Sequence, residues 1–167
     1  MTTPRHPLPM DIRGSVVATG CRFAIVVSRF NEEITSGLLS GARLALLEAA
    51  VNEEDVTVIH VPGAFEIPVA ALHAAQAGRF DAVICLGCLI KGDTMHFEYI
   101  AGSACQAIAN AAGATGVPMA LGVLTTLTEE QAVARAADGP DNKGREAALA
   151  AVEMATLFRR LQEGVGE

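Results

Sequence analysis

DAVICLGCLIKGDTMHFEY, Asp81 to Tyr99, decides how the rest of the chain is read. Its apolar run from Ala82 to Ile90 does not alternate, as suits a strand buried on both faces. The run meets a turn, Lys91-Gly92-Asp93, and then a segment that opens with Thr94 and carries His96. Buried strand, glycine loop and helix start together make the end of a βαβ unit, and open parallel sheets bind ligands beyond the carboxyl ends of their strands. The corner from Lys91 to His96 is the expected site.

Working outward, VTVIHV at 56–61 is a strand stopped by Pro62-Gly63, and AFEIPVAALHAAQAGRF reads as a loop opening a helix with Pro68 in its first turn and Gly78 as its end signal. RFAIVVS at 22–28 is a further strand, broken at Arg29-Phe30-Asn31. From Glu32 to Ala50 the apolar residues Ile34, Leu38, Ala42, Leu46 and Leu47 recur at helical spacing. Downstream, Thr94 to Gly113 is alanine-rich and helical, and PMALGVLTT is a strand ending at Thr126. Thr128-Glu129-Glu130-Gln131 has the form of a capping box for a helix running to Ala137. DGPDNKG is a connector, and Arg145 to Leu161 is the last amphipathic helix.

Strands alternating with helices require a parallel sheet covered on both faces, with right-handed crossovers. The predicted fold is α/β: a three-layer α/β/α flavodoxin-like domain with a four-stranded parallel sheet, plus a short N-terminal edge strand at 12–19. Residues 1–11, with three prolines, are expected to be a flexible arm, 12–162 a single domain and 163–167 a tail. Phe30, Pro62 to Glu66, Lys91 to His96 and Thr125-Thr126 should gather along one edge of the sheet.

Composition agrees. At 167 residues the chain can bury a core without metal or disulfide help. It is 51% hydrophobic but only 4% aromatic, so that core must be aliphatic, which favours α/β layering over an all-β sandwich. A net charge of -7 argues against nucleic acid as a partner. No apolar run approaches the roughly 18–20 residues of a membrane span, and the first residues lack the apolar centre of a secretory signal, which points to a soluble, cytoplasmic protein. Cys85 and Cys88 read C-x-x-C, but three apart on a strand they face opposite ways and no second pair completes a zinc site, so a structural role is favoured over redox or metal chemistry.

Several side chains carry two readings. His96 beside the loop suits proton transfer, or it is a surface helix histidine; His60 and His73 read as structural. The N–H groups of Gly92-Asp93-Thr94, with Lys91 nearby, suit an anion. There is no Walker loop and no G-x-G-x-x-G, so a small phosphate ester fits better than a nucleoside triphosphate or dinucleotide. Arg135 and Lys143 have no carboxylate four residues before them, where Gln131 and Gly139 stand; they are spare cations for an anion, or solvated surface. Phe30 either stacks on a planar ring or caps the core edge. Glu66 either accepts hydrogen bonds from a polyol or is an ordinary first-turn glutamate.

Taken together, SRFN at 28–31, VPGAFEIP at 61–68, LGCLIKGDTMHFEYI at 86–100, GVLTT at 122–126, EQAVARA at 130–136 and NKGREAA at 142–148 resemble the lumazine synthase (6,7-dimethyl-8-ribityllumazine synthase) family of riboflavin biosynthesis, in order from about residue 12 to 162. The resemblance implies condensation of 5-amino-6-(D-ribitylamino)uracil with 3,4-dihydroxy-2-butanone 4-phosphate, and no metal or organic cofactor. Carried onto this chain, it implies that Phe30 stacks on the pyrimidine and Asn31 shapes the pocket. Ala64, Phe65 and Glu66 would hold the ribityl chain and ring, while Cys88, Leu89 and Ile90 line the uracil site with main-chain groups. Asp93 and Thr94 would cradle the phosphate, Arg135 would pair with it, Lys143 would lie near the same pocket, and His96 would carry protons.

Two departures stand out: Leu121 where many members carry phenylalanine, which makes aliphatic an aromatic wall supplied by a neighbouring subunit, and Lys91 where arginine is frequent. The resemblance further implies a homopentamer whose sites lie between subunits. The short connector from Ala136 to Asn142 resembles members that build a 60-subunit shell, with riboflavin synthase a candidate partner. The edge strand at 12–19 would then extend a neighbour's sheet. The rival readings are a non-catalytic flavin- or lumazine-binding protein and a shell protein without chemistry.

Overall fold

The computed structural model describes residues 11–163. All but the last residue of the expected arm, and the tail after Glu163, lie outside the described residues. The elements in order are β1 (Phe23–Ser28), α1 (Glu32–Glu48), β2 (Val56–Val61), α2 (Ile67–Gln76), β3 (Ala82–Ile90), α3 (His96–Thr115), β4 (Met119–Thr126), α4 (Glu129–Ala136) and α5 (Lys143–Gln162). The sheet is parallel throughout, in the order β2-β1-β3-β4. This is the flavodoxin-like α/β arrangement.

Each strand of the sheet's centre feeds both layers because successive side chains point to opposite faces. Phe23, Ile25 and Val27 of β1 and Ile84 and Leu86 of β3 pack with Leu38 and Leu46 of α1 and Val152 of α5. Ala24, Val26, Val83 and Cys85 turn the other way, onto Ile67 and Ala71 of α2 and Ile108 of α3. Burying each large aliphatic side chain contributes about 1.5–3 kcal/mol. Glycine does the rest by letting helices approach closely: a Cβ on Gly37 of α1 would sit 2.5 Å from the carbonyl oxygen of Ala136 at the end of α4, and one on Gly144 of α5 would overlap the backbone of Leu38 of α1. The helix pair α1–α5 is thus nearly in backbone contact.

Signals at the helix ends act as anticipated. Gly78 ends the turn after α2 with φ 70°, and Thr128 caps α4 by accepting from the Gln131 N–H at 3.3 Å. Gln131 completes the box one residue further back than the simple pattern, accepting at Oε1 from Leu127 N–H. Helix α3 begins at His96, two residues later than its pattern indicated.

The edge strand expected at 12–19 is not part of this chain's sheet. Helix α5 occupies the segment's polar backbone instead. Ser15 N–H donates to Thr156 Oγ1 at 2.7 Å, Thr156 Oγ1 donates in turn to Ser15 O, and Arg159 donates to Gly20 O at 2.8 Å while pairing with Asp81. Among the described residues no helix is long and apolar enough to cross a membrane.

Candidate functional site

The site begins where the sheet's connections diverge. After β1 the chain returns to build β2 on one side; after β3 it builds β4 on the other, so a crevice opens between their carboxyl ends. Pairing of β1 with β3 stops at Val27–Leu86, whereas β3 runs on to Ile90 with β4 as its only partner strand among the described residues. Asn31 ties the crevice. It adopts the left-handed conformation (φ 59°, ψ 49°), which asparagine tolerates better than most residues, and its Nδ2 donates to Cys88 O at 3.1 Å. Arg29 N–H to Val61 O and Phe30 N–H to Pro62 O stitch the loop after β1 to the loop after β2. This turns the Phe30 ring outward, 66% exposed.

A cleft of about 540 Å³ lies there. Its walls include Phe30, Ala64, Phe65 and Glu66 from the loops after β1 and β2, Leu89 and Ile90 from the end of β3, and Thr94 and His96 from the following loop and helix start. Eight of the residues singled out in the sequence therefore meet in one space. Exposed faces of Phe30 and Phe65 suit a planar ring, the Glu66 carboxylate can accept from hydroxyls, and His96 opens a helix at the rim, where an imidazole can take and return a proton.

Other expectations need adjustment. Cys88 lies beneath the cleft, 1% exposed, with its carbonyl already engaged by Asn31, so it supports the wall without lining it. Burial pushes its thiol up to about 11, the Asn31 side chain pulling the other way, and burial alone pushes Cys85 up to about 12. The two thiols belong to opposite core layers, and all four cysteines are free. Among the described residues no group of three or more histidine, cysteine, aspartate or glutamate side chains is arranged to hold a metal. Asp93 is exposed and outside the cleft wall. Lys91 does not stand free: its Nζ meets Glu98 Oε1 at 3.1 Å.

Leu121, Arg135 and Lys143 do not join this cleft. They line a second groove of about 320 Å³ that runs along the outer strand β4 and under α4 and α5, together with Thr125 and Thr126, which the single-edge picture had put with the others. The reason is topological: β4 is the sheet's last strand, and its flank faces away from the β1–β3 crevice. Leu121 is 53% exposed on that flank. Arg135 has no carboxylate within ion-pair distance among the described residues, and its Nη1 donates to Gln131 O. Lys143, by contrast, pairs with Glu146 one turn on, so it is not the spare cation that its upstream neighbours suggested.

Three contributors escaped the sequence reading. Phe97 and Ile100 complete the cleft wall, and their three-residue spacing at the start of α3 was the available signal. Asn142 is only 1% exposed. Its Nδ2 donates to the carbonyls of Gly37, Ala136 and Ala137, and its Oδ1 caps α5 by accepting from Arg145 N–H. That one amide fixes the end of α4, which carries Arg135, against the start of α5, which carries Lys143.

Known proteins share this arrangement in sequence. Residues 20–159 match the family model described as 6,7-dimethyl-8-ribityllumazine synthase. The chain is similar to the 6,7-dimethyl-8-ribityllumazine synthase of Salinibacter ruber, 48% identical over 155 residues that cover 93% of this chain and 99% of the relative. It is also similar to that of Syntrophus aciditrophicus, 49% identical over 154 residues, covering 92% of this chain and all of the relative. With the family model spanning most of the residues and the relatives matched nearly end to end, the chain belongs to the 6,7-dimethyl-8-ribityllumazine synthase family.

Proposed function

We propose that the chain condenses 5-amino-6-(D-ribitylamino)uracil with 3,4-dihydroxy-2-butanone 4-phosphate to 6,7-dimethyl-8-ribityllumazine, releasing phosphate and water, as the penultimate step of riboflavin biosynthesis. The observation that carries this reading is the convergence of Phe30, Glu66, Thr94 and His96 on one cleft at the β1–β3 crevice. The uracil ring stacks on Phe30 against Leu89 and Ile90, and its ribityl chain runs along Ala64 to Glu66. The amine attacks the ketone carbon, water leaves as the imine forms, and a carbon-bound proton is lost as phosphate departs. His96 carries protons in these steps. Because amine and ketone already react with one another, the protein's main contributions are proximity, phosphate placement and proton transfer.

The phosphate needs a cation. Lys91 is occupied by Glu98, whereas Arg135 has no carboxylate partner among the described residues and offers the planar fork that suits a phosphate. Arg135 and Leu121 line a separate groove on the same chain, which supports a site completed by a neighbouring subunit of a homopentamer: one subunit supplies the cleft, the next supplies Arg135, Lys143 and Leu121. Light scattering tests this assembly, and a monomer at working concentration would overturn it. The same measurement distinguishes five subunits from a 60-subunit shell.

The decisive assay mixes purified protein with both substrates and follows lumazine absorbance. Acceleration over the spontaneous reaction is expected. A rate equal to the uncatalysed one would leave the lumazine-binding or shell readings instead.

A further inference from the structure

The segment Gly92–Met95 connects β3 to α3 and leads directly into His96, yet its own backbone is lightly held. Among the described residues, the only backbone hydrogen bonds at its borders outside regular elements are Lys91 N–H to Thr126 O at 2.8 Å and Tyr99 N–H to Met95 O at 3.3 Å. All four residues are exposed. One side-chain contact spans the segment: Lys91 Nζ, at the strand end, reaches Glu98 Oε1, in the first turn of α3, at 3.1 Å. The other carboxylate oxygen, Glu98 Oε2, is shut off from solvent and has no hydrogen-bond partner among the described residues. A carboxylate half withdrawn from water in this way gains nothing by itself, since an unpaired buried oxygen is unfavourable; what it gains is the ammonium at its other oxygen.

We propose that the Lys91–Glu98 ion pair is a strap across the 92–95 loop, and that Lys91 and Glu98 are positioning residues that hold the loop's N–H groups and His96 toward the cleft. The proposal rests on the reading of this cleft as the phosphate-ester and proton-transfer site. Neither strap residue touches substrate. The lysine charge is spent on Glu98, and neither side chain is among the residues that line the cleft.

The pair is part-exposed, with side chains 47% and 35% accessible, so its effect is small and its sign is what tests it. Lys91→Met and Glu98→Gln are each expected to raise KM for the butanone phosphate about threefold to fivefold. The double variant is expected to be no worse than either single one, because one interaction is lost in all three. KM for the pyrimidine and the unfolding midpoint should stay unchanged. If Lys91 instead bound the phosphate directly, Glu98→Gln would free the lysine and lower KM, and that result would overturn the strap; so would additive effects, or a shared fall in thermal stability.

A second readout does not depend on the reaction. Amide hydrogen exchange of the peptide covering 92–97, measured on the intact protein without substrate, should speed up in each single variant while the rest of α3 is unaffected. Unchanged exchange would defeat the strap even if catalysis is confirmed. Wild-type protein that fails to accelerate the condensation would defeat the functional reading and leave the exchange result to judge the strap alone.

Discussion

The cleft at the β1–β3 crevice and the groove beside β4 are built on different principles. The cleft is framed by strand ends: Phe30, Leu89 and Ile90 follow directly from a sheet whose central strands are buried, and the ties from Asn31 to Cys88 and from Arg29 and Phe30 to the loop after β2 refine what the strands already fix. The groove's cations stand on two helix ends joined by a connector, and a single buried amide, Asn142, holds those ends together. The cleft has aromatic faces and the His96 imidazole, with Lys91 at its border neutralised by Glu98; the groove has an arginine with no carboxylate in ion-pair distance among the described residues, and no histidine. Each lacks what the other has. A reaction that needs a ring platform, a proton carrier and a phosphate clamp must draw on both, and within one chain they are apart.

The largest effect should come from breaking the groove's scaffold. Asn142→Ala removes the cap of α5 and leaves three carbonyls without their donor, a loss of about 2–4 kcal/mol of stability. Asn142→Asp should be worse, although aspartate caps helices as well as asparagine does, because a carboxylate would then face the carbonyls of Gly37, Ala136 and Ala137. Denaturant unfolding of the two variants checks the order. If Asp is tolerated better than Ala, the capping bond and not the threefold donation dominates.

Next is Arg135→Ala, which should raise KM for the butanone phosphate roughly a hundredfold, in line with losing one member of a charge-assisted pair, while KM for the pyrimidine stays near its wild-type value. Unchanged affinity for the phosphate ester would sink the assignment. His96→Ala should reduce kcat by a smaller factor, roughly tenfold to a hundredfold, at or below the low end of general acid–base contributions because the substrates react unaided. Steady-state kinetics separates the two. Mixing the variants sharpens the comparison further: after co-refolding into random oligomers, about a quarter of interfaces pair an intact His96 with a neighbour's intact Arg135, and activity should return in that proportion. Recovery absent from verified mixed oligomers would mean that cleft and groove do not meet across subunits.

Legibility in the sequence follows the same division. The strands at 56–61 and 82–90 are readable to the residue because a β-branched-rich run ending in Pro-Gly and an unbroken apolar run ending in Lys-Gly-Asp admit few other structures, and the cleft residues come with them. The groove was harder. That Leu121, Arg135 and Lys143 lie on another flank depends on β4 being the outer strand, and strand order is a property of crossovers, which no local pattern encodes. Lys143 reads as unpaired from its upstream neighbours, and its partner, Glu146, stands three residues downstream. Asn142 sat within DGPDNKG, where asparagine looks like ordinary turn chemistry; only the close approach of α1, made possible by Gly37, Gly41 and Gly144, turns it into a buried hub. The segment 12–19 is irregular within this chain for a related reason, since the side chain that holds its backbone lies some 140 residues away on α5.

The smallest effect concerns Leu121. On the groove's exposed flank, at 53% accessibility, a phenylalanine can be accommodated without displacing core atoms, because nothing in either buried layer packs over that position. If the groove faces a neighbour's cleft, Leu121→Phe places a second ring near the pyrimidine held by Phe30, and an aromatic pair contributes about 0.5–1.5 kcal/mol beyond area burial. KM for the ribitylaminouracil should then fall by a few fold, with that for the butanone phosphate unmoved, the reverse of the Arg135→Ala pattern. The same substitution in a chain whose groove opens to solvent would gain nothing for the ring and would simply expose more apolar surface. A fall in KM for the pyrimidine alone therefore reports which ligand the groove approaches, and an unchanged KM in a confirmed pentamer would separate Leu121 from Arg135 and confine the shared site to the phosphate end.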